Sequence, residues 1–316
     1  MKRIGITLCL ICALFLWQTS LSIAVPKPPK KLEIGVAMGI DKITAENMKY
    51  AKSTDIHHIE IGVGALIDRE TLTFTKSHQE ILKLVTEVKK AADGAGINIW
   101  SIHMPFSNKI DLSMRNEEAR AKTIELHKQV LEYVKILNPE IILFHPSFYL
   151  GLNEREERKQ QLIKSAIELN KYVKTIDATM VIENMLGYEL VLANGKRERP
   201  LLRTVEEAVE IMNRLPEDIY SAVDMNHIKN PEKLIRALGK RVKTVHVADG
   251  TGKEENHAFP CSGEGENNWV DIIAALDETG YSGPFMYESK YPDLKDLKAC
   301  YDSMYNDYVH SLSLKK

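Results

Sequence analysis

Residues 180–184 read Met-Val-Ile-Glu-Asn, and residues 220–227 read Tyr-Ser-Ala-Val-Asp-Met-Asn-His. In both stretches a short, mainly apolar run ends at a carboxylate, Glu183 in the first and Asp224 in the second. Continuous apolar runs of this length are typical of parallel strands that are buried on both faces. The two stretches therefore predict buried strands whose carboxyl ends carry charged side chains.

The same kind of run recurs along the chain and alternates with stretches of helical periodicity. The eight predicted strands are Leu32–Ala37, Ile56–Ile61, Ile97–His103, Ile141–His145, Met180–Glu183, Tyr220–Asp224, Val242–Val247 and Pro284–Glu288. The predicted helices are Glu80–Ala92, Asn116–Leu137, Glu156–Val173, a helix starting at Thr204, Pro231–Leu238, Asn268–Thr279 and Leu294–Leu312. Eight strands alternating with helices predict an α/β fold, a single-domain (β/α)8 TIM barrel over residues 32–316. The alternative is an open doubly wound sheet, but the expected glycine-rich phosphate loop does not follow the first strand.

The composition is that of an ordinary globular protein. Of the 316 residues, 44% are hydrophobic and 27% are charged, and the formal net charge is −2. These values exclude a disordered chain and a polytopic membrane protein. A weakly acidic chain lacks the positive field that attracts nucleic acids, so we expect no nucleic acid partner.

The N-terminus has the pattern of a secretory signal peptide. Lys2 and Arg3 precede a mainly apolar stretch over residues 4–17, and the small residues Ser22 and Ala24 occupy the two positions that a signal peptidase reads. The alternative, an uncleaved membrane anchor, needs about 20 apolar residues. We therefore predict a signal peptide over residues 1–24, a Pro/Lys linker over 25–31, export to the periplasm or medium, and no stable membrane insertion after cleavage. The mature chain keeps Cys261 and Cys300, and the sequence leaves open whether they pair.

Ionisable residues cluster where the predicted strands end. They are Glu60, His103, His145, Glu183, Asp224 with His227 three residues later, His246 and Glu288. The carboxyl ends of barrel strands face one mouth, where barrel enzymes place their active sites. Buried charges are costly unless a metal or partner compensates them. The alternative, a structural ion-pair network, is disfavoured because no basic residues end the strands.

One subset has the chemistry of a metal site. Glu183, Asp224, His246 and Glu288 combine three carboxylates with one imidazole. Such an oxygen-rich set suits one divalent ion: Mn²⁺, Mg²⁺ or Co²⁺, with Zn²⁺ also allowed. We expect no organic cofactor.

Several short motifs together resemble those of the xylose-isomerase-like TIM barrels, which include sugar isomerases, sugar epimerases and endonuclease-IV-type (AP endonuclease family 2) enzymes. The motifs are IHMP (102–105), FHPS (144–147), VIEN (181–184), DMNH (224–227), VHVAD (245–249), ENHAFPCSGEGENNW (255–269) and MYES (286–289). The resemblance implies that Glu183, Asp224, His246 and Glu288 hold the metal. It also implies functional roles for His227 and for Glu189, six residues after the first ligand. Three residues depart from the family pattern: Cys261 and Ser262 enlarge a Pro-Gly-x-Gly turn, and Gly252 stands where several epimerases have arginine.

The resemblance implies a metal-dependent sugar isomerase or epimerase that acts on a ketose or keto-sugar, and the signal-peptide pattern adds that it is exported. Glu183 and Glu288 would be the acid/base pair, assisted by His227. The expected substrate contacts are His103, His145, Glu189, His257 and Glu60. The partner would be a small-molecule sugar, and the sequence leaves the oligomeric state open.

Three alternatives remain. A dehydratase (lyase) acting on a keto-sugar or inosose would use the same proton abstraction. An endonuclease-IV-like phosphodiesterase would add His103, His145, His227, Glu255 and His257 as ligands of a multinuclear zinc cluster, although the acidic chain and the export signal disfavour it. A non-catalytic sugar-binding barrel is disfavoured because both flanking glutamates are present.

Overall fold

The computed structural model describes residues 28–148, 154–186, 190–191, 197–198 and 200–314. Within these residues the predicted barrel is confirmed. The eight barrel strands are β1 (Ile34–Gly39), β2 (Ile56–Gly62), β3 (Asn98–His103), β4 (Ile141–Phe144), β5 (Thr179–Glu183), β6 (Ile219–Asp224), β7 (Val242–His246) and β8 (Phe285–Tyr287). The predicted signal peptide and the first part of the linker lie outside the described residues.

The strands form one parallel sheet in the order β7-β6-β5-β4-β3-β2-β1-β8. A parallel bridge between Val247 and Tyr287 joins the two ends of this order and completes the ring. All eight strands therefore direct their carboxyl ends to the same mouth.

In the part of the chain that the structure describes, eight α-helices surround the ring. They are α1 (Ala45–Ser53), α2 (His78–Ala95), α3 (Glu117–Val134), α4 (Arg155–Thr175), α5 (Val205–Arg214), α6 (Pro231–Leu238), α7 (Trp269–Glu278) and α8 (Leu294–Leu314). The predicted start of α5 is confirmed, since the Thr204 side chain accepts a hydrogen bond from the Glu207 amide. Helix α1 was missed because it is short and buries only Met48 and Ala51, which leaves little apolar periodicity. None of the described helices is both long and apolar enough to span a bilayer.

The barrel interior has an apolar lower layer beneath a polar upper layer. Trp100, Ile141, Leu143, Val181, Ala222 and Met286 pack together as the lower layer. Side chains two residues apart on a strand share a face. Glu183, Asp224 and Glu288 each lie two residues after Val181, Ala222 and Met286, so the strand period places their carboxylates above that layer.

Two small hairpins and a disulfide add to the barrel. A small hairpin follows β2, formed by Ile67–Asp68 and Thr73–Phe74, and another pairs Leu190–Val191 with Arg197–Glu198. Cys261 and Cys300, whose pairing the sequence left open, form a disulfide. The disulfide ties the loop after β7 to α8.

Candidate metal centre

Four predicted ligands meet at the mouth around one histidine nitrogen. The Nδ1 atom of His246 lies 2.6 Å from Glu288 Oε2, 3.0 Å from Glu183 Oε1 and 3.7 Å from Asp224 Oδ2. One ligand atom from each of the four residues lies within 4.8 Å of all the others. The predicted set is therefore assembled, with His246 beside Asp224 in the register of β7 and β6.

The buried polar atoms of this group fit a bound cation. Glu183 Oε2 and Asp224 Oδ2 are buried and accept no hydrogen bond. Among the described residues, every ion pair to the carboxylates of Glu183, Asp224 and Glu288 comes from a histidine. Several buried carboxylates without a lysine or arginine partner are costly, and a divalent ion removes that cost.

The pKa shifts of the ligand residues also favour a bound cation. Burial alone would lower the pKa of His246, but the charges of Glu288, Glu60 and Glu183 outweigh it and raise the pKa well above its usual value. Burial alone would raise the pKa of Glu288, yet the neighbouring His246 brings it down to about 2. The carboxylates thus create a negative field that stabilises positive charge on His246, and a divalent cation can take the place of that proton.

A second group of ligand atoms adjoins the first. His103, His145 and Glu183 also lie within coordination range of one another. The Nε2 atom of His145 is 2.8 Å from Glu183 Oε2, although that oxygen accepts no hydrogen bond. Glu183 thus belongs to both groups.

A third group lies on the opposite side of Asp224. Asp224, His227 and His257 form it, and Glu255 Oε2 is 3.1 Å from His227 Nε2 and 3.4 Å from His257 Nε2. The backbone at His257 has a φ of 44°, and its Nδ1 lies 2.7 Å from the carbonyl oxygen of Glu288. His103, His145 and His257, predicted as substrate contacts, therefore all lie in groups that could hold a metal.

Asn184, which sequence reasoning passed over, connects the two strands that carry Glu183 and Asp224. Its Oδ1 accepts a hydrogen bond from the Asp224 amide at 2.8 Å, and its Nδ2 donates to the Asp224 carbonyl oxygen at 3.1 Å. Its own carbonyl oxygen lies 2.9 Å from His227 Nδ1. The sequence feature that could have pointed to Asn184 is its position directly after Glu183 in the VIEN motif.

Glu60 lies behind His246. Its Oε1 is 3.0 Å from His246 Nε2, and its Oε2 accepts a hydrogen bond from Ser101 Oγ at 2.6 Å. Only 1% of Glu60 is exposed, although it forms part of a cavity wall. Neither of the two facing atoms, Glu60 Oε1 and His246 Nε2, makes a hydrogen bond among the described residues, so the carboxylate acts on the ring through its charge and raises the pKa of His246.

Two adjoining cavities open over the ligands. One, of about 260 Å³, is lined by Glu183, Glu288, His227 and His257 among others. The other, of about 360 Å³, lies towards β1 and β2 and includes Glu60 and Arg69. His103, His145, Glu288 and Phe106 line both cavities. The ring centroids of Phe106 and His145 are 4.0 Å apart, so Phe106 forms an aromatic wall beside the histidine. Glu189 lies outside the described residues.

Comparisons with known proteins agree with this architecture. The family model described as "Xylose isomerase-like TIM barrel" matches residues 48–304. The uncharacterized protein MJ1614 of Methanocaldococcus jannaschii is 23% identical over 208 residues, which are 65% of this chain and 76% of that protein. Its uncharacterized protein MJ1311 is 27% identical over 194 residues, 60% of this chain and 64% of the relative.

Solved structures share the fold at low sequence identity. A D-tagatose 3-epimerase-like protein superposes with a TM-score of 0.69 at 19% identity, covering 88% of this chain and 99% of that one. An L-ribulose 3-epimerase gives a TM-score of 0.68 at 13% identity, covering 90% and 98%. The 3-keto-D-glucoside 4-epimerase YcjR of E. coli gives 0.65 at 16% identity, covering 86% and 100%.

Proposed function

Since this chain belongs to the xylose isomerase-like TIM barrel family, we propose that it is a divalent-metal-dependent sugar isomerase or epimerase. The substrate would be a ketose or keto-sugar. One observation carries the proposal: Glu183 and Glu288 both line the cavity and both contact His246 Nδ1. They come from β5 and β8, which β6 and β7 separate around the ring, so they approach the cavity from different sides.

The two carboxylates suit proton transfer at a carbon next to a carbonyl group. Burial opposes ionisation of Glu183, but the charges of His246 and His145 keep its pKa well below the usual value. Both glutamates are thus available as bases at neutral pH. If one removes a proton and the other returns it to the opposite face, the product is an epimer. Return to the neighbouring carbon gives an isomer.

Glu183, Asp224, His246 and Glu288 would hold the ion. A divalent cation at such a site acts as a Lewis acid that stabilises the negative charge developing on the carbonyl oxygen. His227 is fixed by the Asn184 carbonyl oxygen and by Glu255, so it can orient a substrate hydroxyl.

The test is proton exchange in D₂O. Protein supplied with Mn²⁺ is incubated with a panel of ketoses and keto-sugars, and proton NMR follows the C–H signal next to the carbonyl. We expect exchange in the unmodified protein and its loss in Glu183→Gln and Glu288→Gln, with metal content measured in each. Glu264→Gln, an exposed acid outside both cavities, is the matched control. A Glu288→Gln variant with bound metal and full exchange contradicts the proposal. New product signals separate epimerisation from dehydration.

Export is part of the proposal. It is supported by the N-terminal pattern of residues 1–24 and by the Cys261–Cys300 disulfide, since disulfides persist mainly in oxidising compartments. N-terminal sequencing of protein from the periplasm or medium should begin at Val25. Full-length protein retained in the cytoplasm contradicts export.

A second candidate, a metal-dependent phosphodiesterase, is favoured by a different observation. The groups around His103 and His145 and around His227 and His257 add ligand atoms on either side of the central four. Neighbouring divalent ions can stabilise the attacking and leaving oxygens of a phosphoester displacement.

Metal stoichiometry and activity distinguish the two candidates. The isomerase needs one ion held by Glu183, Asp224, His246 and Glu288, so His145→Gln should still bind one ion per chain. The phosphodiesterase needs two or three ions per chain, should hydrolyse bis(p-nitrophenyl) phosphate, and should lose that activity in His145→Gln and His257→Gln. Metal analysis and both assays on the same preparations decide between them.

A further inference from the structure

One cationic side chain reaches the mouth of the barrel beside the ligand groups. Among the described residues, Arg69 is the only lysine or arginine that lines either of the two cavities. It shares the larger cavity with Glu288, His103 and His145. A substrate with one end at Glu288 can therefore have its other end near this guanidinium.

The segment that carries Arg69 is well ordered by its own hydrogen bonds. Arg69 lies in the turn of the hairpin formed by Ile67–Asp68 and Thr73–Phe74. Asp68 Oδ1 accepts hydrogen bonds from the amides of Glu70 at 2.8 Å and Thr71 at 3.0 Å, and the Leu72 amide donates to the Asp68 carbonyl oxygen at 2.9 Å. The turn therefore holds the Arg69 backbone in place.

The side chain of Arg69 passes over Gly64. A Cβ atom placed on Gly64 would lie 3.4 Å from Arg69 Nη2. This is an ordinary van der Waals distance, and it places the guanidinium beside Gly64 at the wall of the larger cavity.

The acids next to Arg69 in sequence are occupied by other partners. Asp68 accepts the two backbone amides of its turn, and Glu70 Oε2 is 2.7 Å from Lys109 Nζ. No hydrogen bond or ion pair joins the Arg69 guanidinium to any residue in the described part of the chain. Guanidinium groups bind carboxylates and phosphates in two-point contacts, so this group is available to an anionic ligand.

We propose that the substrate carries an anionic group, the carboxylate of an oxidised sugar or a sugar phosphate, and that Arg69 binds it while the carbonyl end lies between Glu183 and Glu288. This inference rests on the proposed isomerase function for the position of the carbonyl end. The anion subsite itself is open to a direct binding measurement.

Calorimetric titration of protein supplied with Mn²⁺ tests the subsite. The probes are D-tagatose, D-tagaturonate and D-tagatose 6-phosphate, which present no anion, a carboxylate and a phosphate. We expect one anionic probe to bind at least ten-fold more tightly than D-tagatose. Arg69→Gln should lower the affinity for that probe at least ten-fold and leave the affinity for D-tagatose unchanged. Arg69→Lys should retain part of the affinity for the anionic probe. Added NaCl should weaken the binding of the anionic probe only, because salt screens the attraction between exposed charges.

The control is Lys76→Gln, which removes an exposed positive charge just after the same hairpin and outside both cavities. Equal affinity for all three probes, or unchanged anion affinity in Arg69→Gln, overturns the inference. Proton exchange in D₂O with the same samples tests the function separately. Arg69-dependent binding without exchange on any probe supports the subsite and contradicts the isomerase. Exchange that is equal for neutral and anionic probes, and unaffected by Arg69→Gln, supports the isomerase and overturns the subsite.

Discussion

Glu60 Oε1 lies 3.0 Å from His246 Nε2, on the side of the imidazole opposite the three carboxylates that surround Nδ1. The two strands that carry these residues, β2 and β7, are separated by β1 and β8 around the ring. Glu60 is itself held by Ser101. Neither atom of this contact makes a hydrogen bond among the described residues, so Glu60 acts on the imidazole through its negative charge, which favours positive charge at this position.

Removing the charge of Glu60 should weaken metal binding. We expect Glu60→Gln to reduce the affinity for Mn²⁺ or Zn²⁺ roughly 10–100-fold, the usual cost of losing such an outer partner. Competition with a chromogenic chelator measures this directly, without an activity assay. Glu264→Gln provides the comparison for a lost surface charge. Unchanged affinity in Glu60→Gln would show that Glu60 does not support His246.

The loop after β7 should be sensitive to a methyl group at Gly250. A Cβ there would lie 2.3 Å from Asn226 Oδ1, which accepts the amide of His257. Gly250→Ala should displace Asn226 and His257 and lower metal occupancy, measured by elemental analysis of purified protein. Gly94→Ala is the matched control, because nothing lies within 4 Å of its added methyl group. That change in α2 should raise stability by about 0.5–1 kcal/mol. Full occupancy in Gly250→Ala would refute the tight-packing explanation.

His127 should make the protein less stable in mild acid. Burial lowers its pKa to about 3, whereas an unfolded chain binds the proton near pH 6.5. Between these values the unfolded state binds more protons, so this contribution to stability is present above about pH 6.5 and is lost as the pH falls. At pH 5 the loss is roughly 2 kcal/mol.

Urea denaturation of His127→Leu at pH 7 and pH 5 measures this contribution. The variant should lose less stability between the two pH values than the unmodified protein, whatever its stability at pH 7. His310→Gln, at an exposed position on α8, controls for the loss of a histidine. Equal pH dependence with and without His127 would contradict the prediction.

The disulfide should contribute to stability. Cys261 and Cys300 are 39 residues apart, and closing a loop of this order typically adds about 2–4 kcal/mol by restricting the unfolded chain. Cys261→Ser should lower the Tm, and reduction of the unmodified protein should lower it by a similar amount. Thermal scans with and without dithiothreitol provide the measurement. A Tm that is unaffected by both changes would mean that the disulfide adds no stability.

Most of the fold could be predicted because strand and helix patterns are local. All eight predicted strands overlap those of the barrel, and only α1, with two buried residues, was missed among the helices. The central ligands were predictable because each is an ionisable residue at the end of an apolar run. The role of Asn184 could not be predicted, because its side-chain hydrogen bonds join it to Asp224 on another strand.

The number and order of the strands, and the charges at their ends, could be predicted because both depend on residues that are neighbours along the chain. Which atoms meet in the site depends on how the strands pack. Closure of the ring places Glu60 behind His246, although 186 positions separate them in the numbering. A hairpin turn brings Arg69 to the cavity that Glu288 lines. Distances between side chains on different strands follow from how the barrel closes, and that is a property of the whole packed chain.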